Sequence, residues 1–219
     1  MKYCNIIFPV NFYHKYYKLH TNSGFIKLNN NSKYLLYLVF EKLDFVVLEI
    51  GFGKGDFLIQ YCLDNPDQQI IGIEKSQSLV KEVSKRLDIY KIKNVRLINS
   101  YAEFAIYFLI PDNFIDKVII NFPDPWPKKA HISRRLVNPY FLKMLYPKMK
   151  KNSTLLISTD VENYKDFILE SIKKANNQDC YFKLNDIKLG FWNQDYQTKY
   201  LRKWIKQNRK IYSLEIVKH

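Results

Sequence analysis

Short apolar runs alternate along the chain with longer segments in which apolar residues recur every three to four positions. The run Phe45–Ile50 is rich in β-branched residues and is followed by glycines, which is typical of a buried strand. The segment Gln77–Ile89 instead places its aliphatic residues on one helical face, and Ser76 is a candidate N-cap for it. Asn138 and Pro139 are a second helix start, because asparagine caps helices and proline suits the first turn.

The same patterns predict an alternation of strands and helices along most of the chain. Further strands are predicted at Gln69–Ile73, Val95–Asn99, Lys117–Phe122, Thr154–Thr159, Tyr181–Leu184 and Tyr212–Val217. Further helices are predicted at Phe57–Leu63, Ala102–Phe108, Pro139–Lys148 and Glu162–Ala175, with a basic helix between Thr198 and Asn208. This alternation predicts an α/β fold with a doubly wound, mostly parallel, seven-stranded sheet and helices on both faces. Ligands of such sheets bind beyond the carboxyl ends of the strands, so the strand ends carry the functional information.

Residues 1–44 do not follow this alternation. They are polar, aromatic and basic, and we expect an N-terminal extension with a helix near Lys33–Leu43, followed by one domain over residues 45–219. The three cysteines, Cys4, Cys62 and Cys180, have neither disulfide-framework nor zinc spacing, so we expect no metal and a reducing, cytoplasmic location. No apolar run reaches 18 residues and no signal peptide is evident, so we expect no membrane association.

The charge balance narrows the choice of partner. Lysine and arginine number 35 against 21 acidic residues, which gives a net charge of +14. The stretches 1–40, 128–135 and 196–214 contain basic residues and no acid, so the positive charge is concentrated. Segregation of this kind favours a polyanion, most often a nucleic acid. A lysine-rich surface that reflects an AT-rich genome is the alternative explanation.

The first predicted strand ends in Glu49 and a Gly51-x-Gly53-x-Gly55 loop. Glycines at this point let the backbone turn sharply and approach a ligand. The loop resembles the cofactor motif of S-adenosylmethionine-dependent methyltransferases, although a generic glycine turn is the alternative. The second strand closes with Glu74, an acid placed to accept hydrogen bonds from ribose hydroxyls. A nicotinamide-dependent enzyme would use the same acid, so Glu74 alone indicates an adenosine rather than methyl transfer.

The fourth strand runs into the segment Asn121–Lys129, NFPDPWPKK. Its prolines would stiffen the loop and hold Asp124 and Trp126 at the strand end. A simple turn is the alternative, because prolines also break strands. The basic continuation offers phosphate contacts from Lys128, Lys129, His131, Arg134 and Arg135. A fixed acid beside a basic track favours a nucleic-acid base as the substrate.

Taken together, LEIGFGKGDF, IGIEKS, NFPDPWPKKAHISRRLVNPYFL, STD and TKYLRK resemble the bacterial tRNA (guanine-N7-)-methyltransferase family. The resemblance runs from about Val46 to the last residue, and the PDPWPKK segment is its most specific part. It implies the Rossmann-like methyltransferase fold, S-adenosyl-L-methionine as cofactor, and tRNA as partner. The implied reaction is methyl transfer to N7 of a guanine, in the variable loop of tRNA, which makes the protein a tRNA modification enzyme.

The resemblance also assigns site residues. It makes Asp124 catalytic and implies cofactor binding by Glu49, Gly51, Gly53, Glu74, Tyr101, Ala102 and Asn121. Substrate binding is expected of Lys128, Asp160 and Thr198, with phosphate contacts from Arg134 and Arg135. The chain departs from the family pattern in two places. Tyr101-Ala102-Glu103 stands where the family has Asp-Ala, and Leu201 stands where it has Glu.

Two other functions remain open from the sequence. The chain could be a non-catalytic RNA-binding protein on a methyltransferase fold, or a methyltransferase for another RNA. We expect either a monomer or a homodimer.

Overall fold

The computed structural model describes residues 18–21, 24–27, 44–177, 180–192, 196, 201 and 206–219. Within these ranges the strands are β1 (Lys18–Thr21), β2 (Gly24–Lys27), β3 (Val46–Ile50), β4 (Gln69–Glu74), β5 (Val95–Asn99), β6 (Ile115–Asn121), β7 (Met149–Thr159), β8 (Phe182–Leu189) and β9 (Tyr212–Lys218). The α-helices described over their full length are α1 (Asp56–Asp64), α2 (Gln77–Ile89), α3 (Ala102–Phe108), α4 (Pro139–Leu145) and α5 (Glu162–Asn176).

All the described strands belong to one sheet, with the order β2-β1-β5-β4-β3-β6-β7-β9-β8. The five strands β5, β4, β3, β6 and β7 are parallel, whereas β9 runs antiparallel to β7 and β8 antiparallel to β9. The chain leaves β3 first towards β4 and β5, and later returns to its other side with β6 and β7. The order therefore reverses at β3, where doubly wound sheets bind ligands.

Two apolar clusters cover the two faces of the sheet. Leu48 and Ile50 of β3 lie in a cluster with residues of α3, α4 and α5. Val47, from the same strand, lies in a second cluster with residues of α1 and α2. Every residue of β3 is buried, which explains why the strand is an almost continuous apolar run. Glu49 is the only polar residue of this strand, and the burial of its carboxyl group needs an explanation.

The predicted fold class is confirmed, and each of the seven predicted strands is present. Several boundaries differ from the prediction: β6 begins earlier, at Ile115, and β7 begins earlier, at Met149. Three further differences have local reasons. β6 ends at Asn121 because Phe122 has a φ of 52°, which a strand cannot continue. The helix from Pro139 ends at Leu145 and a short 3-10 turn replaces its last residues. β8 extends to Leu189 through polar residues that a strand at the sheet edge tolerates.

The two predicted helix caps have different outcomes. Asn138 caps α4, because its side chain accepts a hydrogen bond from the Phe141 amide at 3.0 Å. Ser76 occupies the N-cap position of α2, but its hydroxyl bonds Ser78 and makes no cap bond. The predicted N-cap position of Ser76 is therefore confirmed, but its side chain does not make the capping hydrogen bond.

The hairpin of β1 and β2 was not predicted, and β1 joins the sheet antiparallel to β5. The helix expected near Lys33–Leu43 lies outside the described residues, and the division between residues 1–44 and 45–219 stays a prediction. None of the described helices combines the length and apolarity needed to cross a membrane.

Candidate active site

The loop after β3 is shaped by its three glycines. Gly51, Gly53 and Gly55 have φ values of 75°, 55° and 72°, a conformation that costs other residues energy. A Cβ atom at Gly51 or Gly53 would meet no atom within 4 Å, whereas one at Gly55 would lie 2.7 Å from a methyl carbon of Val83. The first two glycines therefore border open space at the strand end, and the third packs α1 against α2.

Glu74 holds this loop from the neighbouring strand. One carboxylate oxygen accepts from the amide of Gly53 at 3.1 Å, and the other accepts from the amide of Ser76 at 2.9 Å. Its carbonyl oxygen accepts from the side chain of Asn99 and from the amide of Ser100. Glu74 thus joins the loop after β3 to the end of β5.

This link brings the predicted adenine-side residues to the same edge of the sheet. Tyr101 is the N-cap of α3 and its side chain is exposed, and Ala102 is the first residue of that helix. Both directly follow Ser100, whose amide bonds Glu74 at 3.1 Å. Tyr101 and Ala102 therefore border the edge that Gly51, Gly53 and Glu74 form.

Glu49 is a buried carboxyl group, only 3% exposed. Its Oε2 atom has no hydrogen-bond partner in the described part of the chain. Burial raises the pKa of Glu49 to about 8, and the negative charge of Glu74 adds to the rise. A carboxyl group in this condition suits a positively charged ligand group, whose charge would lower the pKa again.

Asn121 lies at the end of β6, next to β3 in the sheet. Its Oδ1 atom accepts from the indole N–H of Trp192 at 3.3 Å. Its Nδ2 atom is buried and, among the described residues, has no partner. The adjacent strand ends therefore carry a donor and an acceptor for which the described residues provide no partner.

The proline-rich loop after β6 presents Asp124 to solvent. Phe122 and Trp126 have φ values of 52° and 43°, and the amide of Phe122 bonds the carbonyl oxygen of Ser158 at 2.8 Å. Positive φ at two bulky residues is strained, and such strain concentrates at functional sites. Asp124 lies between them, with its carboxylate 3.4 Å from Nζ of Lys75 and 68% of its side chain exposed.

Trp126 supports the basic side of the loop. The guanidinium group of Arg134 lies over its ring at 5.1 Å, and the His131 ring meets it edge-on at 5.7 Å. Lys128 and Arg134 are exposed, so both can reach phosphates. The expected roles of Lys128 and Arg134 stay predictions.

Arg135 does not have the expected role. Its side chain is buried, and its guanidinium donates to the carbonyl oxygen of Pro125 at 2.9 Å and to Oδ1 of Asn163 at 2.7 Å. The same group lies over the rings of Tyr164 and Phe167. Arg135 therefore ties the proline-rich loop to α5, and enclosure keeps it from contacting phosphates.

Asp160 follows β7 at the same edge of the sheet. Its side chain is 12% exposed, and its carboxylate pairs with Arg209 at 2.8 Å, so Arg209 lies close to the end of β7. Thr198 lies outside the described residues. Leu201 is buried in the cluster that contains Phe57 and Tyr196, so an apolar contact occupies the position where the family has glutamate.

Sequence reasoning missed four residues of this site: Lys75, Asn99, Trp192 and Arg209. Asn99 could have been predicted from the sequence, because it ends a strand at the edge of the sheet where ligands bind. Lys75, Trp192 and Arg209 act through contacts between segments distant in sequence, which no local pattern reveals. Among the described residues, no group of three His, Cys, Asp or Glu side chains could hold a metal ion.

The chain resembles known methyltransferases. A family model described as a putative methyltransferase matches residues 44–214. The tRNA (guanine-N(7)-)-methyltransferase of Thermotoga maritima is 36% identical over 167 residues, which cover 76% of this chain and 52% of that protein. The enzyme of the same name from Chlorobium phaeobacteroides is 35% identical over 163 residues, which cover 74% of this chain and 76% of that protein. The chain spans about half the length of the Thermotoga maritima and Aquifex aeolicus relatives, 52% and 54%.

Solved structures share the fold. The 16S rRNA methyltransferase KamB has a TM-score of 0.67 at 13% identity, covering 92% of this chain and 99% of that one. A 16S rRNA (adenine(1408)-N(1))-methyltransferase variant from Catenulisporales acidiphilia, solved with its cosubstrate SAM, has a TM-score of 0.62 at 14% identity, covering 92% and 96%. At these identities the likeness concerns the fold alone. Because the family model spans most of the chain and the Chlorobium relative is matched over 76% of its length, the chain belongs to the tRNA (guanine-N(7)-)-methyltransferase family.

Proposed function

We propose that the protein transfers a methyl group from S-adenosylmethionine to N7 of a guanine in tRNA. The observation that carries the proposal is the position of Asp124. Its exposed carboxylate stands on a strained loop, 3.4 Å from Lys75, which directly follows the cofactor-side Glu74. The Asp124 carboxylate faces solvent next to the edge of the sheet where we propose that the cofactor binds. Such a position suits a large substrate that approaches from the solvent. Family membership supplies the base and the reaction.

The residues at the strand ends fit the cofactor. Open space in front of Gly51 and Gly53 accommodates a ligand that a Cβ atom would obstruct. The unsatisfied Glu49 oxygen suits the amino group of the cofactor, and Glu74 lies at the strand end where a ribose is expected. When bound, S-adenosylmethionine supplies a methyl group activated by a sulfonium sulfur.

In this proposal, Asp124 is the residue that binds the edge of the guanine ring. Guanine N7 carries an exposed lone pair, so no base is needed to activate it, and the methylated ring is cationic. Catalysis then depends on position and charge. In our proposal Asp124 accepts from N1–H or the 2-amino group of guanine and stabilises the developing positive charge. We propose that Asp160 contacts the opposite side of the base after its ion pair with Arg209 opens.

The exposed cations extend the site towards the backbone of the RNA. Lys128 and Arg134 follow Asp124 in the chain, and Arg209 precedes β9 and pairs with Asp160 after the end of β7. Cations in such positions bind phosphates whatever the sequence of the RNA. The loop would therefore hold the tRNA while Asp124 holds the base.

The test is transfer of labelled methyl from S-adenosylmethionine to unmodified bulk tRNA, followed by nuclease digestion and nucleoside identification. We expect N7-methylguanosine from the natural protein. Asp124→Ala should lower turnover by about 10²–10³-fold, because a preorganised charge is lost, while S-adenosylhomocysteine affinity changes little.

Lys75→Ala is the matched control, since it removes the exposed ion pair and keeps the carboxylate. Exposed pairs contribute little, so its loss of turnover should stay below about fivefold. Methyl transfer to a different nucleoside, or to ribosomal RNA alone, would replace the substrate in this proposal. Cofactor binding with no transfer to any RNA would favour the RNA-binding alternative.

A further inference from the structure

Glu49 and Asn121, on adjacent strands, each have a buried polar atom without a hydrogen-bond partner among the described residues, and both side chains face the same side of the sheet. Val47 and Ile119 both lie in the cluster on the α1 and α2 side, and side chains alternate along a strand. Glu49 and Asn121, each two residues further on, therefore project to that side as well. The register pairs Glu49 with Ile119, so Asn121 is the diagonal neighbour of Glu49 across β3 and β6.

Trp192 determines the orientation of the Asn121 amide. An indole N–H can only donate, so the amide must present its oxygen to Trp192, as it does at 3.3 Å. The NH₂ group must then point the other way, where it is buried and has no partner in the described part of the chain. The ring of Trp192 is itself held by Phe57 and Phe191, with centroids 5.6 and 5.5 Å away.

A ligand that complements this buried donor and this buried acceptor, which lie on adjacent strands, must carry one acceptor and one donor close together. The Oε2 atom of Glu49 can accept a hydrogen bond from the ligand, and the Nδ2 group of Asn121 can donate one to it. An α-amino group with its α-carboxylate provides both on neighbouring atoms. The amino-acid end of S-adenosylmethionine carries this pair, so the inference rests on the function proposed above.

We propose that Trp192 is a positioning residue that, through Asn121, directs an amide donor towards the carboxylate of the cofactor. Its indole contacts Asn121, and in this proposal other residues contact the reacting atoms. In the sequence, Trp192 lies six residues before Thr198, which is expected to bind tRNA.

The test compares two ligands by calorimetry in the full chain. S-adenosylhomocysteine has the amino-acid end, whereas 5′-methylthioadenosine has the same adenosine thioether without it. Trp192→Phe keeps an aromatic ring and removes the N–H. We expect it to weaken S-adenosylhomocysteine about five- to tenfold, the value of one uncharged hydrogen bond such as the one that the indole donates to Asn121, and to leave 5′-methylthioadenosine unchanged.

Asn121→Ala should show the same selective loss, and the double variant should bind no more weakly than Asn121→Ala alone. Equal weakening of both ligands by Trp192→Phe would overturn the proposal, because loss of packing alone would do the same. Unchanged affinity for both ligands would overturn it too. Failure of the natural protein to bind S-adenosylhomocysteine would overturn the proposed function first, and this inference with it.

Discussion

At the scale of single residues, Glu49 should link stability to the proposed binding of the cofactor. Its pKa rises from 4.5 to about 8 in the folded protein because the carboxyl is buried and Glu74 lies nearby. Between these two values the folded state holds a proton that the unfolded state has released. The free energy of unfolding should therefore fall as pH rises, by about 1.4 kcal/mol per pH unit from this group.

Glu49→Gln tests this dependence, because glutamine keeps the shape and does not titrate. We expect the ligand-free variant to be more stable than the natural protein at pH 7 and equally stable near pH 4. Urea denaturation at several pH values measures the difference, and parallel profiles would contradict it. The same variant should bind S-adenosylhomocysteine more weakly, since it has no charge to offer an amino group.

Arg134 and Arg135 form a second test at this scale. They are neighbours in sequence, yet one is exposed and the other is enclosed by Pro125, Asn163 and two aromatic rings. Arg135→Ala should destabilise the protein by about 3 kcal/mol, because charged hydrogen bonds are broken and buried acceptors lose their donor.

Arg134→Ala should change stability by less than about 0.5 kcal/mol and weaken tRNA binding instead. Denaturation and filter binding, run on both variants, separate the two roles. Equal loss of stability would show that the assignment is wrong. The sequence could not distinguish these arginines, because their fates depend on α5, which is formed by residues about 30 positions further along the chain.

At the scale of elements, two glycines of the loop from β3 into α1 have different surroundings: Gly53 borders open space at the strand end, and Gly55 packs against Val83. Gly53→Ala should cost about 1–2 kcal/mol for its positive φ and obstruct the open space at the strand end. Gly55→Ala should cost more, because its Cβ would also press on Val83 at 2.7 Å. S-adenosylhomocysteine titration and thermal melting should therefore rank the variants in opposite orders.

If Gly55→Ala proved the milder change in both measurements, the division of roles within this loop would be refuted. The comparison is well matched, because both variants add one methyl group to the same loop.

Local pattern predicted the elements of the central sheet well. The run at β3 and the one-sided helix α2 each carry their own signal, and both occur with the expected bounds to within one residue. The β1–β2 hairpin was missed because its place in the sheet depends on the pairing of β1 with β5, whose paired residues lie 77–81 positions further along the chain. The ends of parallel strands meet at one edge, so Glu49, Glu74 and Asp124 could be grouped from the sequence, whereas Trp192 could not.

At the scale of the whole molecule, the charge of +14 should make tRNA binding strongly dependent on salt. Each phosphate contact adds about 0.7–0.9 to the magnitude of the slope of log K against log salt concentration. Lys128→Ala and Arg134→Ala should each reduce that slope by about one, because both side chains are exposed on the loop of Asp124.

Lys174→Ala is the control for this prediction. Lys174 lies in the last turn of α5, away from the strand ends that form the site, and its ammonium group is 3.6 Å from Glu170. Its removal should leave the slope unchanged although it lowers the net charge by the same amount. Equal effects of all three variants would mean that total charge, and not its placement, governs binding.

The sheet order has a consequence for synthesis of the chain. β9 is made after β8, yet it lies between β7 and β8 in the finished sheet. While the nascent chain emerges from the ribosome, β8 therefore lacks its sheet partner and the edge of β7 stays open. Unpaired edges invite association with other chains. The parallel strands that carry the cofactor residues can assemble first, and the emergence of residues 212–218 closes the β7 edge.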